Sequence, residues 1–69
     1  METTIDNLDL YTWFERDRAC VELRDRETDH TVFEVWDESV YELIDDGFID
    51  PRDYKQSAFD YAKSVGLIN

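Results

Sequence analysis

Basic residues are scarce in this chain. Seven Lys and Arg residues stand against 18 Asp and Glu residues, which gives a formal net charge of −11 in 69 residues. Proteins that bind nucleic acid or anionic lipid neutralise phosphate groups with clustered Lys and Arg side chains. The acidic balance therefore argues against direct binding of nucleic acid or membrane, and it favours a partner that is itself a basic protein.

Cysteine and histidine are almost absent. The single cysteine, Cys20, rules out an internal disulfide and indicates a reducing compartment, which we expect to be the cytoplasm. A zinc site needs about four closely spaced ligands, and Cys20 with the single histidine, His30, does not supply them. The same shortage leaves no Cys–His or Ser–His–Asp set for nucleophilic catalysis. We therefore expect no metal, no cofactor and no enzymatic activity.

Glycine, proline and long apolar runs are also few. The two glycines, Gly47 and Gly66, both stand where a helix is expected to end, so no glycine-rich phosphate loop is present. No apolar run has the length of a membrane span or the character of a signal peptide. The hydrophobic content of 42% is nevertheless too high for simple disorder. We expect one domain over residues 1–69, with residues 1–9 as a loop or tail.

Strand-like patterns fill the first half of the chain. Residues 19–24 and 31–36 alternate between apolar and polar positions, which predicts an antiparallel pair of strands. Residues 10–15 are aromatic and favour a third strand, with Tyr11 and Trp13 on one face. A helix is the alternative for this segment, because its apolar residues also fit the i, i+3, i+4 spacing.

The apolar period becomes helical after the third strand. Asp37 is placed to cap a first helix that Gly47 ends, and a later start at Ser39 is the alternative. For a second helix, Asp50 is the predicted N-cap and Pro51 the first residue.

The second helix is expected to run to about Val65. Five residues are predicted to form its buried face: Tyr54, Ala58, Tyr61, Ala62 and Val65. Phe59 is predicted to lie outside this face. The predicted fold class is therefore α+β, with a small two- or three-stranded antiparallel sheet followed by two helices packed on one face.

Carboxylates dominate the middle of the sequence. Residues 31–50 contain seven acids and no base. These seven are the candidate partner-binding residues: Glu34, Asp37, Glu38, Glu42, Asp45, Asp46 and Asp50. On the first helix, Glu38 and Glu42 lie about 6 Å apart along the axis at 1.5 Å per residue. An ordered row of negative charge is what a phosphate-binding channel accepts.

Two functions from different classes follow from these patterns. The first is an inhibitor that imitates nucleic acid and occupies a basic DNA- or RNA-binding protein. In acidity and size the chain is similar to small phage- or plasmid-encoded inhibitors of this kind, but the similarity is one of composition and assigns no residue a role. The second is a small adaptor or homodimer that binds through an aromatic surface. Its candidate residues are Tyr11, Trp13, Trp36 and Phe59.

Three plainer interpretations of these features stand beside those two. A carboxylate-rich surface is an ordinary solvated helix face in many proteins, and it also serves general solubility in salt-loving organisms. The two helices have the order of a DNA-binding helix-turn-helix. The turn over residues 45–50 is long and acidic for that motif, however, and its field would repel DNA.

Overall fold

The computed structural model describes residues 3–68 and confirms the predicted α+β fold. A three-stranded antiparallel sheet is followed by two helices. The elements are a 3-10 turn (Ile5–Asn7), β1 (Leu8–Phe14), β2 (Ala19–Asp25), β3 (Thr31–Trp36), α1 (Glu38–Asp45) and α2 (Tyr54–Ser64).

The sheet has the order β1-β2-β3, so β2 is the central strand. The aromatic segment that was predicted to be a strand rather than a helix does form strand β1. This strand begins at Leu8, which is fully buried. The predicted loop over residues 1–9 is therefore too long, because residues 8 and 9 already pair with β2. Residues 1 and 2 of that segment lie outside the described part of the chain.

One face of the sheet forms the core with both helices. Val21 and Leu23 point from β2 into this face and are fully buried, as alternation predicts. Val40 of α1, with Ala58 and Ala62 of α2, packs in the same cluster. Each fully buried Val or Leu side chain contributes about 1.5–3 kcal/mol relative to an exposed one, so this face supplies most of the packing energy.

Helix α1 begins at Glu38, the earlier of the two predicted starts. Asp37 occupies the N-cap position with a φ of 54°, but its side chain makes no capping hydrogen bond to α1. Instead, the backbone N–H of Ala19 donates to Asp37 Oδ1 at 3.1 Å. Asp37 thus joins the start of α1 to the start of β2. Gly47 ends the helix with a φ of +84°, a conformation that a residue with a Cβ rarely adopts.

Helix α2 begins later than predicted. Asp53 is its N-cap and accepts from the backbone N–H of Gln56 at 3.1 Å. Asp50 instead accepts from the backbone N–H and the guanidinium of Arg52, which holds residues 50–52 in a turn before the helix. The prediction that Asp50 caps this helix is therefore wrong, because its carboxylate is already used locally.

The buried face of α2 is only partly as predicted. Ala58 and Ala62 are fully buried, whereas Val65 is 52% exposed and Phe59 only 8% exposed. Phe59 is buried because α2 contacts the 3-10 turn as well as the sheet, which widens the covered side of the helix. Val65 follows the last helical residue, and Ile68 enters the core in its place. Within residues 3–68, neither helix has the length and apolarity needed to span a bilayer.

Candidate functional site

Helix α1 presents an acidic surface to solvent. We define the α1 surface as the four carboxylates that lie opposite the buried Val40: Glu38, Glu42, Asp45 and Asp46. All four are exposed. Among residues 3–68, none of the four takes part in an ion pair. The negative end of the helix dipole lies beside Asp45 and Asp46, so these two charges are locally unfavourable.

The four carboxylates face different surroundings. Glu38 borders a shallow cleft that is also lined by Arg16 and Arg18 from the β1–β2 turn. Glu42 borders a separate groove in which no basic residue lies. The predicted acidic row is therefore electrostatically uneven: basic side chains lie beside Glu38, and none lines the groove beside Glu42.

The other three predicted acidic residues occupy different positions in the fold. Glu34 is exposed on β3. Asp37 is held by its hydrogen bond from Ala19. Asp50 forms an ion pair with Arg52 at 3.0 Å, and the hydrogen bonds from Arg52 lower the pKa of this carboxyl group. Asp37 and Asp50 thus have partners inside the chain, whereas Glu34 joins the α1 carboxylates as an exposed acid with no ion pair among the described residues.

The side of the sheet that faces away from the helices is aromatic. We define it as the open face, which carries Tyr11, Trp13, Cys20, Glu22, Arg24, Glu34 and Trp36. In the register, Trp13 lies opposite Cys20, and Cys20 lies opposite Trp36. This row brings the two indoles to either side of the single thiol. Tyr11, Trp13 and Trp36 are 46%, 49% and 40% exposed. They border a cleft of about 330 Å³ that also includes Cys20.

Cys20 is protected although it lies on the open face. Its side chain is only 5% exposed. Burial raises the pKa of the thiol, and the negative charges of Glu22, Glu34 and Asp37 raise it further. The thiolate is the reactive form of cysteine. Cys20 is therefore suited to packing rather than to nucleophilic or redox chemistry.

Ion pairs balance much of the charge on and beside the open face. The Arg24 guanidinium bridges to Glu22 at 3.2 Å and lies 4.5 Å from the centre of the Tyr11 ring. Arg26 binds Asp9 at 2.9 Å, and this hydrogen bond lowers the pKa of Asp9 and raises that of Arg26. Alternation along β2 places Glu22 and Arg24 on one face, but no local pattern in the sequence predicts either ion pair.

Phe59 does not belong to this aromatic surface. It lies in the core, on the opposite side of the sheet from Trp13 and Trp36. The Lys63 ammonium lies 5.8 Å from the centre of its ring, which places an aliphatic stem and a charge between Phe59 and solvent. Of the four aromatic candidates, the structure brings three together and buries the fourth.

Metal-ligating side chains do not converge in the described part of the chain, where no group of three or more His, Cys, Asp or Glu residues is arranged to hold an ion. Comparisons with protein-family models, curated proteins and solved structures found no significant match.

Proposed function

We propose that this protein is a non-enzymatic binding module whose acidic residues occupy a basic groove on another protein, of the kind that otherwise binds nucleic acid. One observation supports this proposal above the others. Of the seven predicted acidic residues, the carboxylates of Asp37 and Asp50 have a hydrogen-bond or ion-pair partner in the described chain, whereas those of the other five are exposed and have neither: Glu34, Glu38, Glu42, Asp45 and Asp46.

The ion pairs near the sheet provide the comparison for the unpaired carboxylates on α1. Near the sheet, Arg24 pairs with Glu22 and Arg26 pairs with Asp9. The α1 surface keeps its charge at the cost of repulsion along the helix. A basic partner would relieve that repulsion on binding, and the uncompensated field would steer the partner towards α1 from a distance.

The experiment compares two variants that remove equal charge. The α1 variant carries Glu38→Gln, Glu42→Gln, Asp45→Asn and Asp46→Asn. The control variant carries Asp6→Asn, Glu15→Gln, Asp17→Asn and Glu27→Gln, at exposed positions elsewhere. Each is immobilised beside the wild type and incubated with one lysate, and the captured proteins are quantified by mass spectrometry. Circular dichroism verifies that both variants are folded.

We expect basic proteins to be captured by the wild type and the control, and captured roughly tenfold less by the α1 variant, because steering and charge complementarity are lost. A captured partner should then release labelled duplex DNA when the wild-type protein is added. Equal capture by the α1 variant, or a partner that keeps its DNA, would contradict the proposal.

The open face favours a second candidate function, that of an adaptor or homodimer. Tyr11, Trp13 and Trp36 lie on one side of the sheet, where Arg24 is paired with Glu22 and Arg26 with the neighbouring Asp9. Aromatic side chains often anchor interfaces. In the same capture experiment, Trp13→Ala should then abolish binding while the α1 variant retains it. Analytical ultracentrifugation of the wild type tests the homodimer directly.

A further inference from the structure

The outer edge of β3 is open to an additional strand. The sheet order places β3 at an edge. In the described chain, no backbone hydrogen bond from a turn, loop or helix reaches residues 31–36. The backbone N–H and C=O groups that point away from β2 therefore remain available to an extended segment of another chain.

A groove of about 340 Å³ runs beside this edge. We define the β3 groove as the space between β3, α1 and the segment that follows α2. Its apolar lining comes from Val35, Leu43, Tyr61, Val65 and Leu67, among others. Leu67 and Val65 are exposed, so the groove offers apolar contact area that the folded chain leaves uncovered.

Glu34 and Glu42 also line the β3 groove, and no Lys, Arg or His does. Neither carboxylate has an ion-pair partner among residues 3–68. Two copies that paired through β3 would bring these acids together with no base between them. The charge distribution therefore disfavours a second copy in the groove and favours a cationic segment.

Strand geometry specifies the side-chain pattern of that segment. Val35 points towards the helices, whereas Glu34 points to the open face. A fourth strand beside β3 would likewise present alternate side chains to these two sides. Apolar side chains would meet Val35, Leu43 and Leu67, and basic side chains would meet Glu34. Glu42 would add to the negative field of the groove from the helix side.

We propose that the β3 groove binds an extended segment of a partner protein in which apolar residues alternate with Lys or Arg, and that this segment adds to β3 as a fourth strand. The inference rests on the proposed function, since both require a basic partner. It deepens that function by naming the docking position and the sequence character of the bound segment.

The test is an NMR titration of the ¹⁵N-labelled protein with synthetic peptides. The probe is a capped octapeptide of alternating Lys and Val. Three comparison peptides replace Val by Gly, replace Lys by Glu, or methylate alternate backbone nitrogens on the edge that would pair. We expect only the Lys–Val probe to shift the amide signals of residues 31–36 and Leu67 saturably, because only this peptide combines charge, apolar contact and strand donors.

Two matched pairs of substitutions locate the contact. Glu34→Gln with Glu42→Gln should weaken binding about tenfold, whereas Asp45→Asn with Asp46→Asn, which removes the same charge outside the groove, should weaken it less than about threefold. Leu67→Ser leaves the charge unchanged and should also weaken binding, whereas Tyr41→Ser, at an exposed position outside the groove, should not.

The inference is overturned if the Lys–Val probe produces no saturable shifts, if the shifts map to the open face or to the end of α1, or if the methylated peptide binds equally well. These results leave the proposed function to be judged by its own capture experiment. A loss of partners from the α1 variant, together with a failed titration, would mean that a basic partner binds outside the β3 groove.

Discussion

The open face and the α1 surface are both exposed to solvent, but their charges are arranged differently. Beside the open face, Glu22 and Asp9 are held by Arg24 and Arg26, at distances of 3.2 and 2.9 Å. On the α1 surface, no carboxylate has such a partner in the described chain. On the open face itself Glu34 is the one carboxylate without an ion pair among the described residues, against four on the α1 surface.

This difference separates two uses of acidic residues. A paired carboxylate fixes the conformation of its own chain and has little field left for a partner. An unpaired carboxylate weakens the fold slightly through repulsion, and its field reaches about 10 Å at 0.1 M ionic strength. The number of acids alone therefore does not distinguish these two uses, whereas the distribution of their counter-charges does.

The largest expected effect comes from breaking the core that supports both surfaces. Ala58 is fully buried between α2 and the sheet, so Ala58→Asp should cost about 3–5 kcal/mol by burying an unpaired charge. Gln56→Ala, at an exposed position of the same helix, should stay within about 0.5 kcal/mol of the wild type. Urea unfolding followed by circular dichroism measures both. Similar costs for the two would mean that the buried face of α2 is misassigned.

The next prediction concerns the side chains that shield Cys20 from solvent on the open face. In the folded protein, Cys20 should react slowly with iodoacetamide, because it is buried and its pKa is raised. Trp13→Ala removes one flanking indole and should increase the alkylation rate about tenfold. Tyr41→Ala, at an exposed aromatic residue elsewhere, serves as the control. Fast alkylation of the wild type, matching that of the urea-unfolded chain, would contradict this arrangement.

A smaller effect is expected from the repulsion between carboxylates on the α1 surface. Three like-charged pairs at i, i+3 or i, i+4 each cost a few tenths of a kcal/mol, so the α1 variant should gain roughly 1 kcal/mol in low salt. The wild-type melting temperature should rise between about 0.02 and 0.5 M NaCl as screening increases. The α1 variant should rise less than the equally charged control variant. Parallel salt curves for the two variants would place the repulsion elsewhere.

The smallest effect concerns the Asp9–Arg26 pair. Because Arg26 lowers the pKa of Asp9, the pair stabilises the fold while this carboxylate is ionised, and the gain is lost as pH falls below the ordinary aspartate value of 3.8. Arg26→Gln should therefore be less stable than the wild type at pH 7, and the difference should shrink in acid. Urea titrations from pH 7 to 3 measure this. A difference that does not vary with pH would assign the effect of Arg26 to packing.

Local patterns predicted a large part of the fold. Alternation identified the strands and the faces of Val21, Tyr11 and Trp13, because side chains reverse direction at every residue of a strand. Gly47 and Gly66 marked the helix ends, because both adopt positive φ angles that favour glycine. These features depend on neighbours within a few residues, which the sequence displays directly.

Other features depended on competition between local signals. Asp50 is the predicted cap of α2, but Asp53 takes that position because Arg52 holds Asp50 in the preceding turn. Phe59 lies off the narrow apolar stripe and is nevertheless buried, because the 3-10 turn contacts α2 from another side. Helical periodicity describes the apolar stripe of a single helix, so it does not predict a contact with a separate element.

The sequence by itself determined the composition of this protein's surfaces: an acidic middle segment without bases, aromatic strands and one cysteine. The tertiary structure alone decided which of those residues meet. Strand register placed Trp13 and Trp36 on either side of Cys20, and it placed Asp9 within reach of Arg26. Pairing between residues distant in the chain is set by the packing of whole elements. Acidic residues beside the sheet therefore gained basic partners, whereas those on α1 kept an uncompensated negative charge.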